Sequence, residues 1–498
     1  MSRRPAQVLV ALTLSAAAVS GCVVGPRYVP PTPPAPSSDG FAAANSAIAA
    51  TDAPPDDWWR LYDDPALNGL VEDALVHNRS LLAAAANLAQ ARGALSLARS
   101  GLYPTTSLSA GGQYGVSSNA VFANDLEGKT AAPSPNSFYT VGLDASYEVD
   151  LFGRVRRSIQ AAAADAQAQQ AALDVVRVSV AGETTRAYLN ACAYGEELAV
   201  ARQSLDLVTQ TYQTTQAQAR FGAASDFDLA RAAEQVSKAQ AELPVDEGQR
   251  RTALFELAVL TGQPPEAISQ AADACAAPPK LAAALPVGDI RGLFARRPDV
   301  RQAERTLAAA VARIGVATAD LYPTISLTGS GGSGASRLAG LGSINNLTYG
   351  IGPSLSWSFP NTTAAQAEIR EARATASGAY ANFDAAVLQA LQDVETSLAT
   401  YGGELDHNAA LNRAKAQSQT AFGLAQTQYR LGAISYLDLL TAQSDLVAAS
   451  AALAVSDQAL ASDQVTVFKA LGGGWAQAPA VTPEPIVDGR TGKATAVR

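Results

Sequence analysis

The residues with the clearest covalent chemistry lie at the start of the chain. Val19-Ser20-Gly21-Cys22 matches a lipobox, in which cleavage before the cysteine frees its amine and thiol for acylation. Arg3 and Arg4, then the apolar run from Val8 to Val19, form a secretory signal peptide too short for a stable membrane anchor. Val23 rather than Asp follows the cysteine, which in such lipoproteins implies sorting to the outer membrane. Acylation of Cys22 would leave Cys192 and Cys275 as a pair in an oxidising compartment, available for a disulfide. Two buried free thiols are the alternative, since free cysteine packs as a small hydrophobe. Two further motifs repeat each other: Ser225-Asp226-Phe227-Asp228 and Ser435-Tyr436-Leu437-Asp438. Each reads as Ser-x-x-Asp, a capping box that opens a helix.

Other chemistry is poorly provided for. His77 and His407 are the only histidines, too few for a His-rich metal site or relay. No metal-ligand cluster, no nucleophile with a paired base and no phosphate loop after a strand is present, so an enzyme is not expected and no cofactor is implied. Gly331-Gly332-Ser333-Gly334 lacks the helix a phosphate loop needs and reads as an extracellular loop. A net charge of −9 argues against nucleic-acid binding. Of the 498 residues, 48% are hydrophobic and 16% charged, a balance that buries a large core and excludes wholesale disorder. Past the signal peptide no 20-residue apolar run is expected to cross a membrane, so any span must come from strands.

The body is one unit written twice. Leu102-Tyr103-Pro104-Thr105 returns as Leu321-Tyr322-Pro323-Thr324, and Arg220-Phe221-Gly222-Ala223-Ala224-Ser225 returns as Arg430-Leu431-Gly432-Ala433-Ile434-Ser435. Leu260-Thr261-Gly262 returns as Leu471-Gly472-Gly473, and all three pairs lie about 210 residues apart. Each copy reads as helix, strand, strand, very long helix, tight turn, long helix. Tyr139, Val141, Leu143, Ala145, Tyr147 and Val149 alternate with polar or small residues, as do Leu347, Tyr349, Ile351, Leu355, Trp357 and Phe359. That period gives one apolar and one polar face, over a length that suits a tilted membrane strand of about 9–11 residues. The strands after Tyr103-Pro104 and Tyr322-Pro323 are weaker and glycine-rich. Read as one helix, residues 154–220 run roughly 100 Å at about 1.5 Å per residue. Four strands cannot close a barrel alone, and an open edge in lipid is not viable, so several copies must combine. Eight, twelve or sixteen strands would all satisfy closure.

The organisation expected is a signal peptide at 1–21 and a lipidated, proline-rich tether at 22–57. The first repeat follows at 58–263, an equatorial linker at 264–288, the second repeat at 289–473 and a tail at 474–498.

The chain resembles the TolC-like outer-membrane efflux family, in its NodT-type lipoprotein branch. The resemblance rests on Cys22 through Tyr28 to Pro30, Trp58-Trp59, Asp64-Pro65-Ala66-Leu67, Arg297-Pro298-Asp299 through Glu304, and both Arg-x-Gly turns. It implies a mainly α fold with a transmembrane β-barrel: a homotrimer with a 12-stranded barrel in the outer membrane and an α-helical periplasmic tunnel. The implied function is a passive duct for small molecules. An inner-membrane pump, of the resistance-nodulation-division type, would drive them through a periplasmic adaptor. A duct for type I protein secretion and a non-conducting structural periplasmic lipoprotein are the alternatives. By the same resemblance, Arg220, Gly222, Ser225, Arg430, Gly432 and Ser435 would form the adaptor-contacting tip. Asp228, Tyr429, Leu437 and Asp438 would form the periplasmic aperture, with Asp228 hydrogen-bonded to Tyr429. Asp438, repeated by symmetry, would form a ring of like charges with raised pKa values or bound cations. Thr441 stands where a second acid is common in the family.

Overall fold

The computed structural model describes residues 23–32, 40–44, 48–116, 126, 128, 134–281, 284–483, 486–487 and 494–495. Cys22 lies outside them. The duplication read from the motifs is a duplication of elements. The first copy holds helices α1 (Pro65–His77) and α2 (Arg79–Ser100), strands β1 (Thr105–Gly115) and β2 (Asn136–Val149), then helices α3 (Arg154–Arg220) and α4 (Asp226–Leu260). The second repeats them as α5 (Ile290–Arg296), α6 (Pro298–Ala319), β3 (Thr324–Ala335), β4 (Leu347–Ser356), α7 (Thr363–Arg430) and α8 (Tyr436–Ala470). Helices α3 and α7 run 67 and 68 residues, and α4 and α8 run 35 each. Alanine and glutamine favour helix, and no proline interrupts α3, α7 or α8. Helix α4 is the exception, with Pro244 in its interior. Proline has no N–H, so one rung of the helical ladder is lost there.

The chain divides into two compact units. The first comprises Met1–Pro31, Gln90–Gln167 and Glu304–Ala381. It holds an antiparallel sheet in the order β1-β2-β3-β4. The register places Leu108, Ala110 and Tyr114 of β1 beside Leu143, Val141 and Ser137 of β2. Across the sheet, Tyr147 and Val149 face Leu327 and Ile325, while Gly331 pairs with both Leu143 and Tyr349. Since side chains alternate, one face is apolar and the other carries mainly Ser, Thr and Gly. The apolar face is bare: Leu108, Tyr349, Ile351 and Leu355 are 76, 87, 81 and 64% exposed. Strands β1 and β4 are open edges. The expectation for Gly331 to Gly334 is corrected, for all four lie within β3, with Gly331 to Ser333 paired on both sides and Gly334 paired to Thr140. Of these glycines, Gly334 is covered by the Phe138 ring, as Gly112 on β1 is by Tyr139, while the Val141 carbonyl stands where a Cβ on Gly332 would go. At the sheet's helix-bearing end, Phe152 stacks on Tyr322 at 4.6 Å and Trp357 on Phe359 at 4.7 Å. The helical segments of this unit touch through small side chains, Ala164 with Ala308 and Ala309, and Ala310 and Ile314 with Ala376.

The second unit comprises Thr32–Ala89, Ala168–Ala303 and Asn382–Arg498. Its core is built on Trp58, stacked on Phe468 at 4.7 Å, with Trp59 edge-on at 6.0 Å. Asp64 caps α1 through the Ala66 and Leu67 amides, with Pro65 at the first helical position, and accepts a 2.7 Å hydrogen bond from Tyr188. Arg297, 8% exposed, bonds Asp299, Asp393 and the Ala470 carbonyl, fastening α6, α7 and α8 together. The end of the tether also packs here: Phe41 and Ile48 are buried, and Ala49-Ala50 pair with Leu285-Pro286. Beyond 473, Trp475 donates to the Arg296 carbonyl and takes the Arg301 guanidinium at 4.4 Å over its ring. Neither terminal segment is therefore free along its whole length. Among the described residues, helix α8 is apolar enough by length and composition to cross a membrane, but Asp438, Asp445, Asp457 and Asp463 interrupt it. Leu439, Leu440, Leu453, Val465 and Phe468 on it are buried against the rest of this unit.

Candidate functional site

The helical hairpins α3–α4 and α7–α8 turn on five-residue loops of one design. Gly222 and Gly432 sit at φ +74° and +71°, the left-handed backbone that closes a helix and that glycine adopts without a Cβ clash. The Ala223 amide reaches back to the Gln218 carbonyl at 2.9 Å, and the Ala433 amide to that of Gln428 at 2.9 Å. Ser225 and Ser435 then start the return helices. Each hydroxyl accepts from the amide of Asp228 or Asp438, and each carboxylate accepts from the serine amide. Both capping boxes are formed. Arg220 and Arg430 end the outgoing helices, and Arg430 bonds Gln426. The loops display apolar side chains, Phe221 at 89% and Leu431 at 78% exposed, with Phe227 and Leu437 behind them.

Tyr429, Tyr436 and Tyr212 gather between the hairpins with Ala232 and Leu440, the first two rings 6.1 Å apart at 60°. The Tyr429 hydroxyl donates to Gln218, not to Asp228, whose carboxylate is occupied by Ser225 at 2.7 Å. The expected Asp228–Tyr429 bond is thus replaced by a Tyr429–Gln218 tie between hairpins. Burial, ahead of any charge, raises both Tyr429 and Tyr436, the latter to about 12. Within one chain, the Ser435 hydrogen bonds hold the Asp438 carboxyl below the usual range. Asp438 shares a cleft with Gln417, Ser418, Thr441 and Asp445. Thr441 donates to the Leu437 carbonyl, so the second acid on this face is Asp445, two turns deeper. Its i+7 spacing is the signal that could have found it. Gln218 offers no comparable signal.

Higher in the same unit, Cys192 and Cys275 form a disulfide with Cα atoms 5.0 Å apart. Nearby, Glu197 of α3 is buried on one oxygen without a hydrogen-bond partner. Burial first, then the Asp246 and Glu196 charges, raise its carboxyl from 4.5 to about 7. An unfolded chain releases this proton near 4.5, while the fold retains it to about 7. Stability therefore falls as pH rises through that window and stays lowered above it. Glu197→Gln is expected to leave melting unchanged at about pH 5 and to raise it by about 2–4 °C at about pH 8. Equal shifts at both pH values would rule out the carboxyl. Among the described residues no group of three or more His, Cys, Asp or Glu is placed to hold a metal ion.

Comparison with known proteins matches residues 70–263 and 290–473 to the family described as outer membrane efflux protein, one segment for each repeat. The chain is 30% identical over 470 residues to nodulation protein T of Rhizobium leguminosarum bv. viciae, covering 93% of each chain. It is 30% identical to the pyoverdine export outer membrane protein OpmQ of Pseudomonas aeruginosa, covering 89% of this chain and 93% of that one. Its fold is similar to that of the outer-membrane channel OprN, with a TM-score of 0.82 and 32% identity over 91% of this chain and all of that one.

Proposed function

The chain belongs to the outer membrane efflux protein family, and we propose that it is a passive exit duct for small molecules whose selectivity is set at the hairpin tips. It is the outer-membrane component of a tripartite efflux system, working with a periplasmic adaptor and an inner-membrane pump. The observation that carries the reading is the four-stranded sheet with a bare apolar face and two unpaired edges. Four strands from each of three copies close a barrel that is apolar towards lipid and lined by Ser, Thr and Gly. A lining of short polar side chains contacts cargo weakly, which suits conduction rather than capture. Pyoverdine, exported by OpmQ as its name states, is an organic small molecule, and we place the cargo of this chain in that class. A pump of the resistance-nodulation-division type is our assignment for the driving partner. Purified protein in planar bilayers should give discrete conductance steps; none would leave a structural lipoprotein.

The tip residues supply the gate in this reading. Phe221 and Leu431, exposed at both turns, offer the adaptor an apolar contact beside Arg220 and Arg430. Tyr429→Phe removes the tie to Gln218 and is expected to raise open probability several-fold, since a hydrogen bond is worth about 1 kcal/mol. Asp438→Asn should weaken cation selectivity and divalent block. If both variants conduct like the parent but melt earlier, the residues serve capping and the gate lies elsewhere.

We further assign Cys22 as the lipidation site. Each buried methylene of its acyl chains adds about 0.8 kcal/mol of membrane affinity. Cys22→Ser should lower membrane yield more than conductance, because the barrel is itself an anchor. Mass spectrometry that finds residue 22 unmodified, or a mature chain beginning elsewhere, would refute the assignment.

A further inference from the structure

Among its described residues, the first unit contains a buried arginine with no acid to balance it. Arg157, in the second turn of α3, is 5% exposed. Its guanidinium donates to the Val24 carbonyl at 3.2 Å, the Gly25 carbonyl at 3.1 Å and Gln160 at 3.1 Å. Those bonds use three of its five N–H donors and provide no negative charge. The side chain lies against Gly315 of α6, where a Cβ would stand 2.8 Å from it, so this arginine is seated by the fold. A second cation, Arg27, lies close enough to depress the proton affinity of Arg157 further, after burial itself. The two line a cleft of about 550 Å³ with Gln160, Gln167, Arg305 and Val23. Arg305 is already paired with Glu304, but among the described residues neither Arg27 nor Arg157 forms an ion pair.

Buried positive charge without a counterion is costly, and two cations facing one cleft make the cost larger. An anion from outside the chain would relieve it. The location indicates which anion. Strand β2 ends at Val149, and Phe152, in the stack with Tyr322, stands five residues before Arg157. Aromatic residues at strand ends mark the headgroup level of a membrane barrel. Val23, which lines the cleft, directly follows Cys22. We propose that Arg27 and Arg157 form a binding site for the phosphate of an anionic phospholipid headgroup in the periplasmic leaflet. The site holds lipid beside the barrel and fixes the N-terminal segment, through Val24 and Gly25, at headgroup depth. This inference rests on the outer-membrane placement above.

The test uses the full-length, delipidated channel re-exposed to defined lipids and read by native mass spectrometry. Phosphatidylglycerol should be retained at about one molecule per chain, in preference to phosphatidylcholine. Arg27→Gln, an exposed residue with no ion pair to lose, should weaken that preference about fivefold. Arg157→Lys should keep part of it, retaining charge while losing the fork to two carbonyls. Equal retention of both lipids, or an unchanged preference in Arg27→Gln, overturns the proposal. Displacement by millimolar inorganic phosphate overturns the lipid source and leaves a site for free phosphate. Conductance of the same samples is read in parallel. A channel that conducts but shows no lipid preference sinks this site alone, whereas a silent one sinks the membrane reading.

Discussion

Arg297→Ala is expected to cost about 3–5 kcal/mol, more than any other single substitution considered. The side chain holds three helices of the second unit at once: Asp299 near the start of α6, Asp393 in α7 and the Ala470 carbonyl at the end of α8. Burial works against its charge, but the carboxylates outweigh burial and keep its pKa above the ordinary value. Removing it strands two carboxylates next to a core that includes Phe468 and Leu471, each at most 1% exposed. Arg297→Lys restores the charge but cannot serve both carboxylates and the carbonyl, so only part of the loss should be recovered. Thermal and denaturant melting of the detergent-solubilised protein measures both. A loss below about 1 kcal/mol in Arg297→Ala would mean that the network is idle, as exposed ion pairs often are.

The second large effect is expected from the disulfide. Cys192 is fully buried in α3, and Cys275 follows the short turn Gln270–Asp273. The bond closes a sequence separation of 83 residues that contains the whole α4 hairpin arm. Bonds that close long loops typically stabilise by about 2–4 kcal/mol, chiefly by restricting the unfolded chain. The double variant Cys192→Ala with Cys275→Ala should lose that amount, with conductance retained. Denatured parent protein should bind a thiol reagent at these positions only after reduction. Labelling without reductant would show free thiols instead.

The long helices were legible because punctuation is absent between their ends. Arg154 to Arg220 holds no proline, and Arg-x-Gly with Ser-x-x-Asp marks the turn that follows. The alternating strands were legible for the same reason, as period two is visible in one strand alone. Gly331 to Gly334 misled because glycine in isolation signals a turn, and only the flanking strands reveal that a ladder runs through it. The docking of Phe41 and Ile48, and the ladder from Ala49-Ala50 to Leu285-Pro286, depend on partners far away in sequence and left no local pattern. At the tips, the sequence supplies caps and turns because these are local. The choice of Gln218 over Asp228 by Tyr429 depends on how two hairpins pack, and on Ser225 having already engaged the aspartate.

The unpaired edges β1 and β4 bear on how the protein is made. A single copy exposes two rows of free ladder groups beside a bare apolar face, the combination most prone to runaway strand pairing. Each edge can be satisfied only by the opposite edge of another copy, and the assembly keeps free edges until the third copy joins. Membership is therefore all or none during biogenesis. A copy whose edge cannot pair, such as one carrying a new proline within β1, which has none, spoils every ring it enters. If subunits mix at random, equal expression of such a copy with the parent should leave about one ring in eight intact, a poisoning effect far stronger than simple loss of dose.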